Sequence, residues 1–228
     1  MTNASITLNF EQLNEKAQMK WRSLVSSGTP VIMVGTATCG RAAGALDVVQ
    51  AFKEEIKRQN IDCHVIEVGC MGHCYAEPLA IVSKPDNPTI CYSRVNPVIA
   101  QRLIKEYILG DDPCLEFVLG AMEPNDLIPS FQDFPRAVYE KKILLKNCGF
   151  INPTDIDHYI AQGGYSSLAK TLQMTPESII ELIKRSGLKG RGGAGFSAGE
   201  KWEICRNASG KPKYLICNGD EGDPGAFM

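Results

Sequence analysis

The chain has 228 residues, 24 basic and 26 acidic, for a formal net charge of −2 at pH 7, with both signs interspersed. That balance supplies no basic field for nucleic acid or an anionic membrane surface, and no apolar run approaches the length of a membrane span. Nine cysteines, an odd number, behind a first segment (MTNASITLNFEQLNEK) that has no basic-then-apolar leader argue against a disulfide framework and for free thiols in a reducing cytoplasm.

Phe10, Leu13, Ala17, Trp21 and Leu24 share a helical face, and Gly28 and Pro30 close that helix. From Pro30 to Gly110 the pattern runs strand, helix, strand, loop, strand, strand, helix: VIMVGT, RAAGALDVVQAFKEEIKRQN, CHVIEVG, LAIVS, TICYS and VIAQRLIKEYIL. The first long helix puts Ala45, Val48, Val49, Phe52 and Ile56 on one face, and the last does the same with Ile99, Leu103, Ile104, Tyr107 and Ile108. The expected fold class is therefore α/β, with a compact unit over 30–110 after a helical segment at 1–29.

Breakers then dominate. DDP, EPND, IPS and DFPR make Gly110 to Lys142 a linker, with a short strand around Leu115, Phe117, Val118 and Leu119. RAVYEKKILL, Arg136 to Leu145, leads into a second portion assigned to 143–228. There ESIIELIKRSG, from Glu177, has helical spacing, with Pro176 at its start and Gly187 at its end.

Two constellations carry chemistry. The first is Cys39, after VIMVGTAT, with Cys70 and Cys74 in GCMGHCYAEP. Loop cysteines beside Gly69, Gly72 and Pro78 are placed for ligation, because glycine turns let backbone N–H groups point at cluster sulfides. Three other readings stay open: a low-pKa thiol at a helix start, a zinc site, and a docking domain without a cluster. Cys114, Cys148, Cys205 and Cys217 read as packing residues.

The second is the glycine loop GRGGAGF, Gly190 to Phe196, followed by Ser197 and, three residues on, Glu200, a capping-box signature. A loop that opens onto a helix start suits a phosphate, with Arg191 as a fixed charge. Gly190, Gly192 and Gly195 also satisfy G-x-G-x-x-G, but a helix rather than a strand precedes them, so the dinucleotide fingerprint fails on context. Tyr214 to Cys217 (YLIC) reads as a short buried strand that delivers Asn218, Asp220, Glu221 and Asp223 into an acidic turn. Carboxylates there would accept hydrogen bonds from ribityl or ribose hydroxyls and ring N–H groups.

GLKGRGGAGFSAGEKW followed by YLICNGDEGDPGAF resembles the FMN- and NADH-binding core of the flavoprotein subunit of respiratory NADH dehydrogenase, whose relatives serve NAD(P)-reducing hydrogenases. The likeness extends back through NCGFINPTDIDHYIAQGGYSSLAKTL, Asn147 to Leu172. It implies that Gly190, Arg191, Gly192, Gly193, Ala194, Gly195 and Lys201 surround FMN, and that Asn218, Asp220 and Glu221 meet its ribityl and ring atoms. Phe196 would pack on the NADH adenine, with Asp223 near the dinucleotide. Ser197 and Ala198 stand where that family has Pro-Thr. It further implies hydride transfer between NAD(H) and FMN, one-electron transfer to iron-sulfur centres, and a 4Fe-4S domain in a carboxy-terminal part beyond this chain, which is expected to be a fragment that alone binds FMN weakly.

The 30–110 unit resembles the thioredoxin-like 2Fe-2S ferredoxins, in which a C-x4-C pair precedes a C-x3-C pair. Cys39 matches the second ligand, and Cys70 and Cys74 the last two. Val34 stands in place of the first, leaving Cys63, Cys91 and His73 as candidates for the fourth position. The resemblances imply a cytoplasmic electron-transfer subunit, partnered by other iron-sulfur subunits of a multisubunit oxidoreductase, with any membrane attachment made through them. A non-catalytic thioredoxin-like docking or metal-binding module is the alternative.

Overall fold

The computed structural model describes residues 3–26, 28–135 and 137–218. They fall into two compact units, 1–166 and 167–228.

In the first unit α1 (Asn3–Val25) precedes β1 (Val31–Gly35), and α2 (Thr38–Ala42) and α3 (Ala45–Gln59) lead to β2 (His64–Val68). The expected single helix from Arg41 is thus two. Gly44, at φ +96°, takes a left-handed conformation that ends one and starts the other. Next come β3 (Ala80–Ser83), β4 (Ile90–Tyr92) and α4 (Pro97–Arg102), which runs on as a π-helical turn over Leu103–Ile108. Asn96 caps α4 by accepting from the Ile99 N–H, with Pro97 at the first helical position.

The strands form one sheet in the order β2-β1-β3-β4-β5, where β5 is Val118–Ala121. β1 and β2 are parallel, with Val31 opposite His64, and every other pair is antiparallel. This order and these directions agree with the thioredoxin-like fold that the resemblance implied. Alternation along the strands assigns the two faces. Ile32, Val34, Ala80, Val82, Ile90 and Tyr92 meet α3 and α4 through Val48, Phe52, Leu103 and Tyr107. The opposite face, with Ile81 and Cys91, lies under Met71, Ala76 and Leu79.

The breaker-rich stretch after Gly110 is ordered by local side chains. Asn125 accepts from the Leu127 and Ile128 N–H groups, and Ser130 with Asp133 forms a capping box over a 3-10 turn. Phe131 and Phe134 from this turn stack against the His73 ring, with centroids 4.9 and 5.7 Å away.

A small third cluster joins α1 to α5 (Ile156–Ala161). Ala17 and Ile160 pack together, Lys20 pairs with Asp155 and Asp157 at 2.9 Å, and the Trp21 indole meets the His158 imidazole edge to face. His158 is 4% exposed and its Nδ1 accepts the Asn152 N–H at 3.1 Å, which requires a neutral ring. Burial pulls its pKa below the ordinary 6.5, against the opposing pull of Asp155.

A depressed histidine pKa means that the unfolded chain binds more protons below about pH 6.5. Stability is therefore full above that value and falls as pH drops through the window toward the folded pKa. Urea denaturation of the complete protein from pH 8 to 5 should show this decline, and His158→Gln should flatten it; an unchanged slope in the variant would contradict the assignment.

Candidate functional site

Three segments of the first unit converge at one end of the sheet. Cys39 sits in the first turn of α2, Cys70 in the loop after β2, and Cys74 at the start of a 3-10 turn over Cys74–Ala76. Cys39 Sγ is 3.6 Å from Cys70 Sγ, and Cys70 Sγ is 3.5 Å from Cys74 Sγ, with all three sulfurs within 4.8 Å of one another. Two thiolates at about 2.3 Å from one tetrahedral metal lie about 3.8 Å apart, so the spacing fits metal ligation. Gly72 turns the loop at φ +92° and its N–H donates to Cys70 Sγ at 3.2 Å.

Burial pushes the Cys39 and Cys70 thiols above their ordinary pKa, and the neighbouring sulfur adds to this at Cys39. That runs against a lone low-pKa thiolate at the start of α2. It suits ligands whose protons are displaced by a bound metal. The fit is thus to a thiolate-loving metal or cluster rather than to a nucleophile.

None of the three expected candidates for a fourth ligand joins the sulfur group among the described residues. His73 is buried in its aromatic cluster, and Cys91 is fully buried on β4 with its thiol raised to about 12 by burial. Cys63, beside β2, directs its thiol at the His64 carbonyl and is likewise raised to about 12. Of the cysteines read as packing residues, Cys114 is buried, but Cys205 and Cys217 are exposed.

Sequence reasoning missed Glu77. Its carboxylate is buried next to the sulfurs, with Oε1 3.7 Å from Cys39 Sγ and Oε2 accepting the Leu79 N–H at 2.8 Å. The available signal was a lone acid between Ala76 and Pro78, at the head of the apolar run that becomes β3.

The second unit carries the glycine loop. α6 (Ser166–Thr171) spans the boundary, and α7 (Pro176–Arg185) and α8 (Ala198–Asn207) follow. Thr175 caps α7, and Ser197, as the sequence suggested for it, caps α8 by accepting the Glu200 N–H at 3.3 Å. The two helices touch closely where Gly199 lies on Lys184, and Lys184 pairs with Glu203 at 2.7 Å.

Between them, the Gly190 N–H donates to the Phe196 carbonyl at 2.8 Å and the Ala198 N–H to the Leu188 carbonyl at 2.9 Å, closing the loop at its neck. Beyond the neck, Gly192, Gly193 and Gly195 face open space, and Gly193 is at φ +99°. The backbone from 191 to 195 is thus bare enough for a phosphate to approach. The helix end contributes less than expected, because the Ala198 and Glu200 amides are already engaged.

Arg191, Phe196 and Lys201 are exposed around this loop, and Asn218 is exposed as well. Asp220, Glu221 and Asp223 lie outside the described residues. The expected buried strand at Tyr214–Cys217 is a correction: the segment is irregular, with Tyr214, Leu215 and Ile216 about 80% exposed or more. A strand needs a paired neighbour, and among the described residues this unit has none. An open cleft of about 1180 Å³ between α7, α8 and this segment is lined by Ile180, Trp202 and Tyr214 rather than by the glycine loop.

Residues 183–228, which hold the glycine loop and the acidic turn, match the Nuo51 FMN-binding domain family. The chain is a relative of the F subunits of NADH-quinone oxidoreductase and of subunits of NAD- and NADP-reducing hydrogenases, which are oxidoreductase components. It is 57% identical over 83 residues to the HndC subunit of NADP-reducing hydrogenase of Solidesulfovibrio fructosivorans, covering 36% of this chain and 17% of that protein. Against the F 2 subunit of NADH-quinone oxidoreductase of Rhizobium meliloti it is 51% identical over 86 residues, 37% of this chain and 20% of the relative.

The alpha subunit of NAD-reducing hydrogenase HoxS of Cupriavidus necator aligns over 200 residues at 30% identity, 83% of this chain and 30% of the relative. The chain thus spans less than a third of the length of these relatives. A thioredoxin-like [2Fe-2S] ferredoxin from Aquifex aeolicus aligns with 42% of this chain and 94% of its own, at 20% identity and a TM-score of 0.37. No described helix is long and apolar enough to cross a membrane.

A Cβ at Gly199 would stand 2.6 Å from the Lys184 backbone nitrogen. Gly199→Ala should therefore force α7 and α8 apart at a cost of about 1–3 kcal/mol. Limited proteolysis of the complete protein should show faster cleavage in this segment, whereas wild-type protection would mean that the helices do not pack at Gly199.

Proposed function

We propose that this chain is part of a flavoprotein subunit that exchanges hydride between NAD(H) and FMN and passes electrons on to iron-sulfur centres. The observation that carries the reading is the bare, neck-closed glycine loop before a capped helix, inside a segment that matches an FMN-binding domain. FMN, when bound, supplies the two-electron to one-electron conversion that such a subunit needs.

The residues of the chain then have these tasks. Backbone amides from Gly190 to Gly195, with Arg191 and Lys201, hold the phosphate and ring. Asn218, Asp220 and Glu221 accept from the ribityl hydroxyls and ring N–H groups, so that position and electronics are set by fixed acceptors. Phe196, half-exposed beside the loop, offers a face for the adenine of NADH, and Asp223 is assigned to the dinucleotide.

Cys39, Cys70 and Cys74 hold a 2Fe-2S centre, placed by the loops of a thioredoxin-like domain proposed over 30–110. A linker over 111–142 connects it to the flavin domain that starts at 143. The partners are other iron-sulfur subunits of a multisubunit oxidoreductase, and the site is cytoplasmic.

The compact sulfur triangle also suits a single zinc ion, which would make the first unit a structural or docking module. Iron, acid-labile sulfide and zinc per chain, measured on anaerobically purified complete protein, separate the two. Iron and sulfide in equal amounts are expected; one zinc and no iron would replace the cluster reading. For the flavin site, Glu221→Ala with Asp223→Ala should lower NADH oxidation by the complete protein at least tenfold. Undiminished oxidation would remove those residues from the site.

A further inference from the structure

Three thiolates leave a 2Fe-2S centre one ligand short. Val34, which stands where the ferredoxin family has its first cysteine, is fully buried in the hydrophobic core and offers no donor atom. We infer that the Glu77 carboxylate is the fourth ligand, bound to the same iron as Cys39. This rests on reading the cysteines as cluster ligands.

Glu77 Oε1 lies 3.7 Å from Cys39 Sγ, which is itself 3.6 Å from Cys70 Sγ, and Cys70 Sγ is 3.5 Å from Cys74 Sγ; the carboxylate stands outside the mutually close sulfur group, on its Cys39 side. A thiolate at about 2.3 Å and a carboxylate oxygen at about 2.0 Å from one tetrahedral metal are about 3.5 Å apart. A cluster with two irons needs two such pairs, one per iron.

The carboxylate is also held for the task. Oε2 is fixed by the Leu79 N–H at 2.8 Å, which leaves Oε1 toward Cys39. Its space is made by missing side chains: a Cβ on Gly35 would lie 3.2 Å from both oxygens, and one on Gly40 3.2 Å from Oε2. Gly35 directly follows Val34, so the strand that lacks the expected cysteine opens a hole at the next residue, and Glu77 fills it. Among the described residues no cation pairs with this buried carboxylate. An unpaired buried charge is costly, and an iron ion in front of Oε1 would offset that cost.

The test uses the complete protein, loaded anaerobically with iron and sulfide, and reads iron and sulfide content together with the EPR spectrum of the reduced protein. Wild type should hold the two irons and two sulfides that define such a centre. Glu77→Gln should lose at least half of the iron, and Glu77→Cys should keep it with shifted g-values, because an oxygen donor has become a thiolate. A Glu77→Gln protein with full iron and the wild-type spectrum overturns the inference while leaving the cluster reading intact. Iron-free wild-type protein overturns the cluster reading, and the inference with it. Should Glu77→Gln fail to fold, Glu77→Cys decides: full iron with shifted g-values supports the inference, and an unshifted spectrum or an empty site overturns it.

Discussion

The first unit depends on one backbone contact without side chains, where the start of α2 lies directly on the end of β1. A Cβ on Gly40 would fall 2.1 Å from the Gly35 carbonyl oxygen, a distance that no relaxation of a neighbouring side chain can relieve. That contact fixes the corner after β1, and the corner fixes Cys39. The Arg41 side chain locks it further by donating to the Thr36 carbonyl at 2.8 Å. From the other side, the loop after β2 brings Cys70 and Cys74, and its shape is set by contacts with a later segment. A Cβ on Gly149 would lie 2.3 Å from Met71 Cγ, so the chain near residue 149 sits on the cysteine loop itself. The sulfur triangle is therefore held by packing from two directions, which is the kind of preorganisation a ligand set needs.

Much of this was legible because periodicity and burial agree. The α3 face through Val48, Val49 and Phe52 is buried as its spacing requires, and β3 and β4 are apolar on both faces because both are covered. The cysteines were legible from spacing and glycine neighbours. What escaped was set by contacts distant in sequence. The break at Gly44 hides inside a continuous helical pattern, since one glycine is weak evidence against a helix until the next segment must change direction. The stretch from 110 to 142 reads as breakers, yet Asn125, Ser130 and Asp133 turn those breakers into specific caps, and the adjoining Phe131 and Phe134 find His73. The short strand expected around Leu115 to Leu119 is present but shifted to Val118–Ala121, behind a 3-10 turn over Leu115–Phe117. Glu77 was invisible for a related reason, because a carboxylate acquires meaning only from the hole opposite it, and that hole is made by residues about forty positions earlier.

The two sites are built on opposite physical plans. At the cysteines the polar atoms are already partnered or aimed, and no buried side-chain nitrogen or oxygen is left without a hydrogen bond among the described residues. At the glycine loop the backbone is closed at its neck but open beyond it, and the residues around it are exposed. Open glycine backbone costs conformational entropy on folding, which a phosphate bound to several amides at once can offset. The apolar side chains of Tyr214, Leu215 and Ile216 face solvent in a row, and such a run of contiguous apolar surface is stable only when something covers it. A phosphate bound in the loop must therefore draw on more than the helix start, where the first amides are already bonded. The division suits the proposed function: a metal centre is best held in a shell fixed by packing, whereas a phosphate needs a loop whose backbone is free to meet it.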